Sequence, residues 1–267
     1  MEMQFAKNTF GKRLSSMLGV DFRRMFTSPL FYLMVGISLV MPILILVMTT
    51  MMDGTVTVNP QTGVETVIEG FDNVWQIIGT VSGGEQTMAM GITTMCNINM
   101  MYMLVAVFIC LFISDDFRSG FVKNLFTVRV NKGDYVISKT LAGFICGTIM
   151  LIAYFIGAML GGAISGLSFD LGGLNAGNIV MCMIAKIFLM LVFVSIFVLV
   201  SVSAKHKAWL SICGSLGGGM LLFMMVGMIT PLSSTIINVL LCLAGGSLFA
   251  VGLGAISKVV LKKTSLV

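Results

Sequence analysis

The chain has 267 residues, of which 57% are hydrophobic and 10% charged, and its mean hydropathy is +1.04. That leaves too little polar surface to coat a water-soluble globule, so the solvent the sequence calls for is lipid. The net charge of +5 does not indicate nucleic acid, because the lysines and arginines sit in short patches beside apolar runs and not on a soluble domain.

Residues 1–29 form the first unit. Phe10, Leu14, Met17, Leu18, Met25 and Phe26 recur at helical spacing, while Lys12, Arg13, Ser16, Arg23 and Arg24 take the other side. This is the pattern of a helix lying on the inner leaflet, with its basic face toward anionic headgroups. Ser28-Pro29 ends it and turns the chain into the bilayer. The charged stretch ahead of an apolar run too long for a signal-peptide core predicts a segment that stays attached.

Apolar runs long enough to cross a hydrocarbon core of about 30 Å predict six helical spans within residues 30–256. They are Leu30–Met52, Gly91–Ser114, Thr140–Ser165, Ile179–Ser203, Ala208–Thr230 and Thr235–Ile256. The runs are continuous and not alternating, which predicts an all-α polytopic protein over a barrel. Glycines four apart, Gly143 with Gly147, Gly157 with Gly161, Gly162 with Gly166 and Gly214 with Gly218, predict close helix packing, within the chain or at a dimer seam.

Orientation follows from the basic residues, which are retained on the cytoplasmic side. They lie in the N-terminal segment, in the connection holding Arg118, Lys123, Arg129, Lys132 and Lys139, in the turn with Lys205 and Lys207, and in the tail 257–267 with Lys258, Lys262 and Lys263. The other three connections have none, so both termini are expected in the cytoplasm. The external segment 53–90 is acidic, with Asp53, Glu65, Glu69, Asp72 and Glu85. Its Thr/Val alternation around Thr55 to Val58 and again at Val64 to Ile68, about Asn59-Pro60 and Gly63, fits either a small hairpin or an irregular loop.

Catalytic chemistry is not indicated. The charge inside the predicted spans is Lys186, and the single histidine, His206, sits in a basic turn. No Ser/His dyad, metal-ligand pair or complete P-loop is present, so no catalytic or metal residue is assigned and no ATP hydrolysis is expected from this chain. The six cysteines are scattered singly and read as free thiols. Lys186, Met51, Met52 and Met95, at or near outer ends of spans, are candidate substrate contacts, since thioethers repack around varied apolar ligands. The ordinary alternatives are a lysine snorkelling to the external interface or bonding an interhelical carbonyl, and methionines facing lipid or core.

The connection 115–139 is the most informative stretch. Ser114-Asp115-Asp116-Phe117-Arg118-Ser119-Gly120-Phe121-Val122-Lys123-Asn124-Leu125 runs on to Asn131-Lys132-Gly133-Asp134 and ends at Lys139. It resembles membrane subunits of the ABC-2 type of ATP-binding cassette transporter. In these an acidic residue ends the second span, a basic residue and a glycine follow, then come a short amphipathic helix, a break, and a lysine opening the third span. The interfacial helix, the Ser-Pro entry and the six spans extend the likeness over nearly the whole chain. Glu is frequent in that family where Asp115 and Asp116 stand here.

The resemblance implies a bacterial plasma-membrane permease that pairs with a second permease, identical or related, and with two cytoplasmic ATPase subunits holding ATP and Mg. It implies that Asp115, Asp116, Phe117, Arg118, Gly120, Phe121, Lys123, Asn124 and Leu125 couple to the ATPase, beside Lys12, Arg13, Arg23 and Arg24 of the interfacial helix. Asp115 and Asp116 are expected at a helix N-terminus, with Phe117, Phe121 and Leu125 on one face filling a groove. The cargo implied is hydrophobic or amphipathic, such as the antimicrobial, lantibiotic or phenol-soluble-modulin peptides of small bacterial exporters. A non-transporting scaffold or sensor and a passive channel are the competing readings, and the lack of a pore-lining charge pattern disfavours the channel.

Overall fold

The computed structural model describes residues 10–58, 65–67, 70–79, 96–127 and 131–263. The described helices are α1 (Phe10–Thr27), α2 (Pro29–Met52), α3 (Met100–Arg118), α4 (Phe121–Thr127), α5 (Lys132–Ser165), α6 (Ala176–Ala204), α7 (Ala208–Ile229) and α8 (Ile236–Lys263). Six of them, α2, α3, α5, α6, α7 and α8, are long and apolar enough to cross a membrane. The all-α expectation holds. The one exception among the described residues is a short antiparallel pair, β1 (Val56–Val58) and β2 (Glu65–Val67), with Val56 opposite Val67. The hairpin alternative for the acidic segment is therefore the one adopted.

Several helix ends differ from the sequence-based expectation, and the extensions among them share one reason. α3 starts at Met100, not Gly91, and continues through Asp115 and Asp116 to Arg118; Gly91 to Met95 lie outside the described residues. α5 begins at Lys132, eight residues before the apolar run, and α8 continues past Ile256 to Lys263. Apolar length marks only the part of a helix inside hydrocarbon, whereas backbone hydrogen bonding carries the helix onward wherever its polar side chains find partners. Asn131 caps α5 by accepting from the Gly133 amide at 3.1 Å, and Asp134 in the first turn suits the positive end of the helix dipole.

α3, α5 and α6 form the centre of the bundle, each about half buried along its apolar window, while α7 and α8 bury only 17% of theirs. α2 lies along α5, and α8 along α6. Glycines govern the first of these contacts. A Cβ at Gly157 would collide with the Leu39 carbonyl oxygen and stand 2.7 Å from the Pro42 ring, so the two backbones touch. At Gly143 and Gly147 the space is filled by Ile109, Val194 and Met190 from α3 and α6. The Gly143/Gly147 and Gly157/Gly161 pairs thus pack within the chain; Gly166 instead ends α5 in the left-handed conformation, φ 69°.

At the end of the bundle opposite α1, the short 3-10 turn Val74–Ile77 fits against Gly162. Trp75 donates its indole N–H to the Phe169 carbonyl at 3.0 Å, and Asn73 bridges to Ser168. These bonds tie the loop after α2 to the loop after α5. Cys110, Cys146, Cys182 and Cys242 are buried free thiols, whereas Cys213 is exposed.

Candidate functional site

The side-chain chemistry of the basic end gathers where α1 crosses the ends of α3 and α5. α1 presents Met17, Asp21 and Met25 on its buried line, one turn apart, so a carboxylate enters an otherwise apolar face. Asp21 is 1% exposed and accepts hydrogen bonds from Lys139 Nζ and Ser138 Oγ, both at 2.6 Å. Lys139 Nζ also lies 2.6 Å from Asp116 Oδ2 and sits over the Phe112 ring at 4.1 Å. The second oxygen of Asp116 accepts from Arg24 Nη1 at 2.5 Å, and Tyr135 donates its hydroxyl to Asp116 at 3.0 Å.

Three carboxylates, Asp21, Asp115 and Asp116, therefore meet two cations, Arg24 and Lys139, with Asp115 held more loosely at 3.6 Å from Arg24. Taking charges out of water costs several kcal/mol per ion, and only close, multiply bonded pairing offsets it. Asp116 meets that requirement with three donors. Arg13 adds an outer tie to Asp134 at 3.1 Å, and Lys132 donates to the Leu261 carbonyl at 2.8 Å, joining α5 to α8. The cluster joins α1, α3 and α5 at one point.

Two expectations need correcting. Asp115 and Asp116 occupy the last turn of α3, the negative end of its dipole, and not a helix N-terminus. Arg24, Lys139 and Tyr135 supply the stabilisation the dipole withholds. Phe117 belongs to α3, on the far side of the Ser119-Gly120 break, and does not share a helix with Phe121 and Leu125. Gly120 makes that break with φ +73°, a region where a side chain is strained.

The short α4 also turns its apolar side inward. Val122 is buried, Leu125 and Phe126 pack on the core, and Phe121 lies under Arg24 with 4.5 Å from guanidinium to ring centre. What α4 shows outward is Lys123 and Asn124, beside exposed Arg118. In α1, Lys12, Arg13 and Arg23 are exposed as expected, whereas Arg24 turns in to the carboxylates. The sequence reading missed Asp21, Asp134, Tyr135 and Lys139 as site residues. The signal for Asp21 was its place on the Met17/Met25 line; for Lys139 it was the position directly before the third apolar run.

The proposed substrate contacts are not brought together. Lys186 is fully buried in α6 and does not snorkel. Its Nζ donates to Asn99 Oδ1 at 2.8 Å and to Thr230 Oγ1 at 2.9 Å, while Tyr102 donates to the Lys186 carbonyl at 2.9 Å. Asn99 opens α3 and Thr230 closes α7, so this lysine ties three helices at the other end of the bundle. Met51 is 80% exposed at the end of α2, and Met52 is also exposed, so neither shares a surface with the enclosed lysine. Met95 lies outside the described residues.

Among the described residues no cluster of His, Cys, Asp and Glu is arranged to hold a metal ion. No curated protein and no solved structure matches the chain. A family model described as ABC-2 family transporter protein matches residues 22–220, a stretch that begins in α1, ends within α7 and takes in Arg24, Asp115, Asp116, Tyr135 and Lys139. With six helices fit to cross a membrane and three quarters of its length inside that match, the chain belongs to the ABC-2 transporter family.

Proposed function

We propose that this chain is the permease subunit of an ATP-binding cassette exporter. A separate cytoplasmic ATPase, present in two copies, binds ATP and Mg, and a second permease subunit, identical or related, completes the route. The basic end, with both termini, faces the cytoplasm of a bacterial cell, and the cargo is hydrophobic or amphipathic, a peptide being the favoured class. The observation that carries this reading is the braced junction of α1, α3 and α5 beside α4, whose Arg24, Asp115, Asp116 and Lys139 lie inside the family match and whose Asp21 lies one residue before it. A force applied at α1 reaches two membrane helices through bonds of 2.5–2.6 Å, and one applied at α4 meets the same cluster where Phe121 lies under Arg24.

Lys123, Asn124 and Arg118 are the ATPase-facing residues in this reading, because the aromatic face of α4 is spent on its own core. Gly120 sets the angle of α4, and Phe121 acts through Arg24. Exposed Met48 and Met51 near the opposite end suit an apolar cargo at its exit. The test is a mild-detergent pull-down of the tagged chain from its native membranes, comparing wild type with Lys123→Glu/Asn124→Glu. Recovery of a nucleotide-binding protein with wild type and its loss with the variant is expected. Recovery of none with wild type, or equal recovery with both, overturns the assignment.

A further inference from the structure

α7 and α8 are equally thinly buried, but they are held in different ways. α8 rests its backbone on that of α6, since a Cβ at Gly246 would stand 2.8 Å from the Phe188 carbonyl oxygen. α7 packs on α3 and α6, and the residues it buries are Ser211, Ser215, Gly219 and Val226, all on one face of the helix. Three of these four are small, so little interdigitation has to be undone when the helix tilts. Hydrogen bonds hold the face at two places. Near the basic end, Ser211 donates to Ser201 Oγ at 2.8 Å and Cys110 donates to Ser215 Oγ at 3.2 Å, joining α7 to α6 and α3. At the other end Thr230, which closes α7, accepts from Lys186 at 2.9 Å, and its carbonyl accepts from Cys182 at 3.6 Å. The helical rise puts Ser211 and Thr230 about 28 Å apart, with Gly219 close to midway. There the α7 backbone meets the edge of the Phe197 ring, 3.3 Å from where a Cβ would stand.

Either set of bonds can open without orphaning its members. Ser201 Oγ also lies 2.6 Å from the Phe197 carbonyl, Thr230 donates to the Val226 carbonyl at 2.8 Å, and Lys186 keeps Asn99 at 2.8 Å. Ser211 and Ser215 can turn to the carbonyl one turn back, as Ser38 and Ser195 do. Each hydroxyl and the Lys186 side chain therefore keep an acceptor within reach when α7 lifts at one end, which is what movement inside hydrocarbon requires.

We propose that α7 is a rocking helix, with Gly219 on Phe197 as its fulcrum and a hydrogen-bonded latch at each end. The structure shows it level, with both latches closed. No water competes for the backbone in hydrocarbon, so the helix keeps its own bonds across Gly217-Gly218-Gly219 and tilts as one rod. Both latches lie on the face that bears on the fulcrum. Lifting the Ser211 end therefore frees Cys110 and presses Thr230 onto Lys186, and the opposite tilt parts Thr230 from Lys186 and seats the serines. The motion belongs to this chain alone, and only its use in moving a cargo rests on the function proposed above.

The chain carries its own reporters, because Cys110 and Cys182 are buried thiols, one in each latch. The test treats the full chain in nanodiscs with N-ethylmaleimide and reads the labelling rate of each cysteine by peptide mass spectrometry. Ser211→Ala/Ser215→Ala should raise the rate at Cys110 about fivefold, the shift produced by losing two hydrogen bonds of ordinary strength between membrane helices, and lower it at Cys182. Thr230→Val, which leaves Lys186 bonded to Asn99, should do the reverse, raising Cys182 and lowering Cys110. Cys146, buried in α5, should label as in wild type in both variants. A rise at Cys110, Cys182 and Cys146 together, a change confined to the thiol beside the substitution, or unchanged rates at Cys110 and Cys182 would each overturn the proposal. No ATPase is present, so either result leaves the permease assignment to its own pull-down.

Discussion

Two buried lysines sit at opposite ends of the bundle, and their partners differ in kind. Lys139 has two carboxylate oxygens at 2.6 Å, from Asp21 and Asp116. Lys186 has an amide oxygen and a hydroxyl, from Asn99 and Thr230, at 2.8 and 2.9 Å. Both are closed off from solvent, yet removing the ammonium has different consequences. At Lys139 it strands the buried Asp21 carboxylate with Ser138 as its remaining donor and strips Asp116 of one of its two cations; at Lys186 it leaves neutral groups that retain other bonds, since Thr230 still donates to the Val226 carbonyl at 2.8 Å. The lesson is that burial alone does not set the worth of a charge, and what is left behind does.

The sharpest way to break the comparison is Lys139→Met. It should destabilise the purified protein by about 3–5 kcal/mol, the cost of opening a buried ion pair, read as a large fall in melting temperature in detergent; a wild-type melt would show that the carboxylates are not confined as described. Lys186→Met should cost less, about 1–3 kcal/mol, the penalty for unpaired neutral groups, and equal losses in the two variants would erase the distinction. A double-mutant cycle sharpens it further. Asp21→Asn in the Lys139→Met background should restore part of the loss, with a coupling above about 0.5 kcal/mol, whereas additive effects would mean the pair acts through separate partners. Smallest is Arg13→Gln, which opens a pair whose arginine is 43% exposed to reach Asp134. It should cost less than about 1 kcal/mol and fade with added salt, and a loss rivalling Lys139→Met would place Arg13 inside the junction.

The bundle was legible in the sequence because hydrocarbon imposes one length and one polarity on every crossing helix. Six apolar runs became six helices, and Gly157 with Gly161 marked a true close approach. The junction was harder to see, because a sequence displays a charge without displaying its partner. Asp21 and Lys139 are 118 positions apart, and each looks ordinary on its own segment. The same blindness misplaced Asp115 and Asp116: polarity after an apolar run reads as a loop, but here Arg24, Tyr135 and Lys139 let the helix continue through them. Lys186 was found as a lone charge, but its burial depended on Asn99 and Thr230 arriving from two other helices.

The contact at Gly157 has a mechanical consequence. Where the backbone of α5 rests on the Leu39 carbonyl and the Pro42 ring, no flexible side chain remains between the helices to act as a cushion. Two rods joined without a cushion resist bending as one thicker beam. α1 is clamped to one end of that beam through Lys139 and the 3-10 turn at Val74 abuts its other end at Gly162, so one rigid member spans from the charged junction to the far surface.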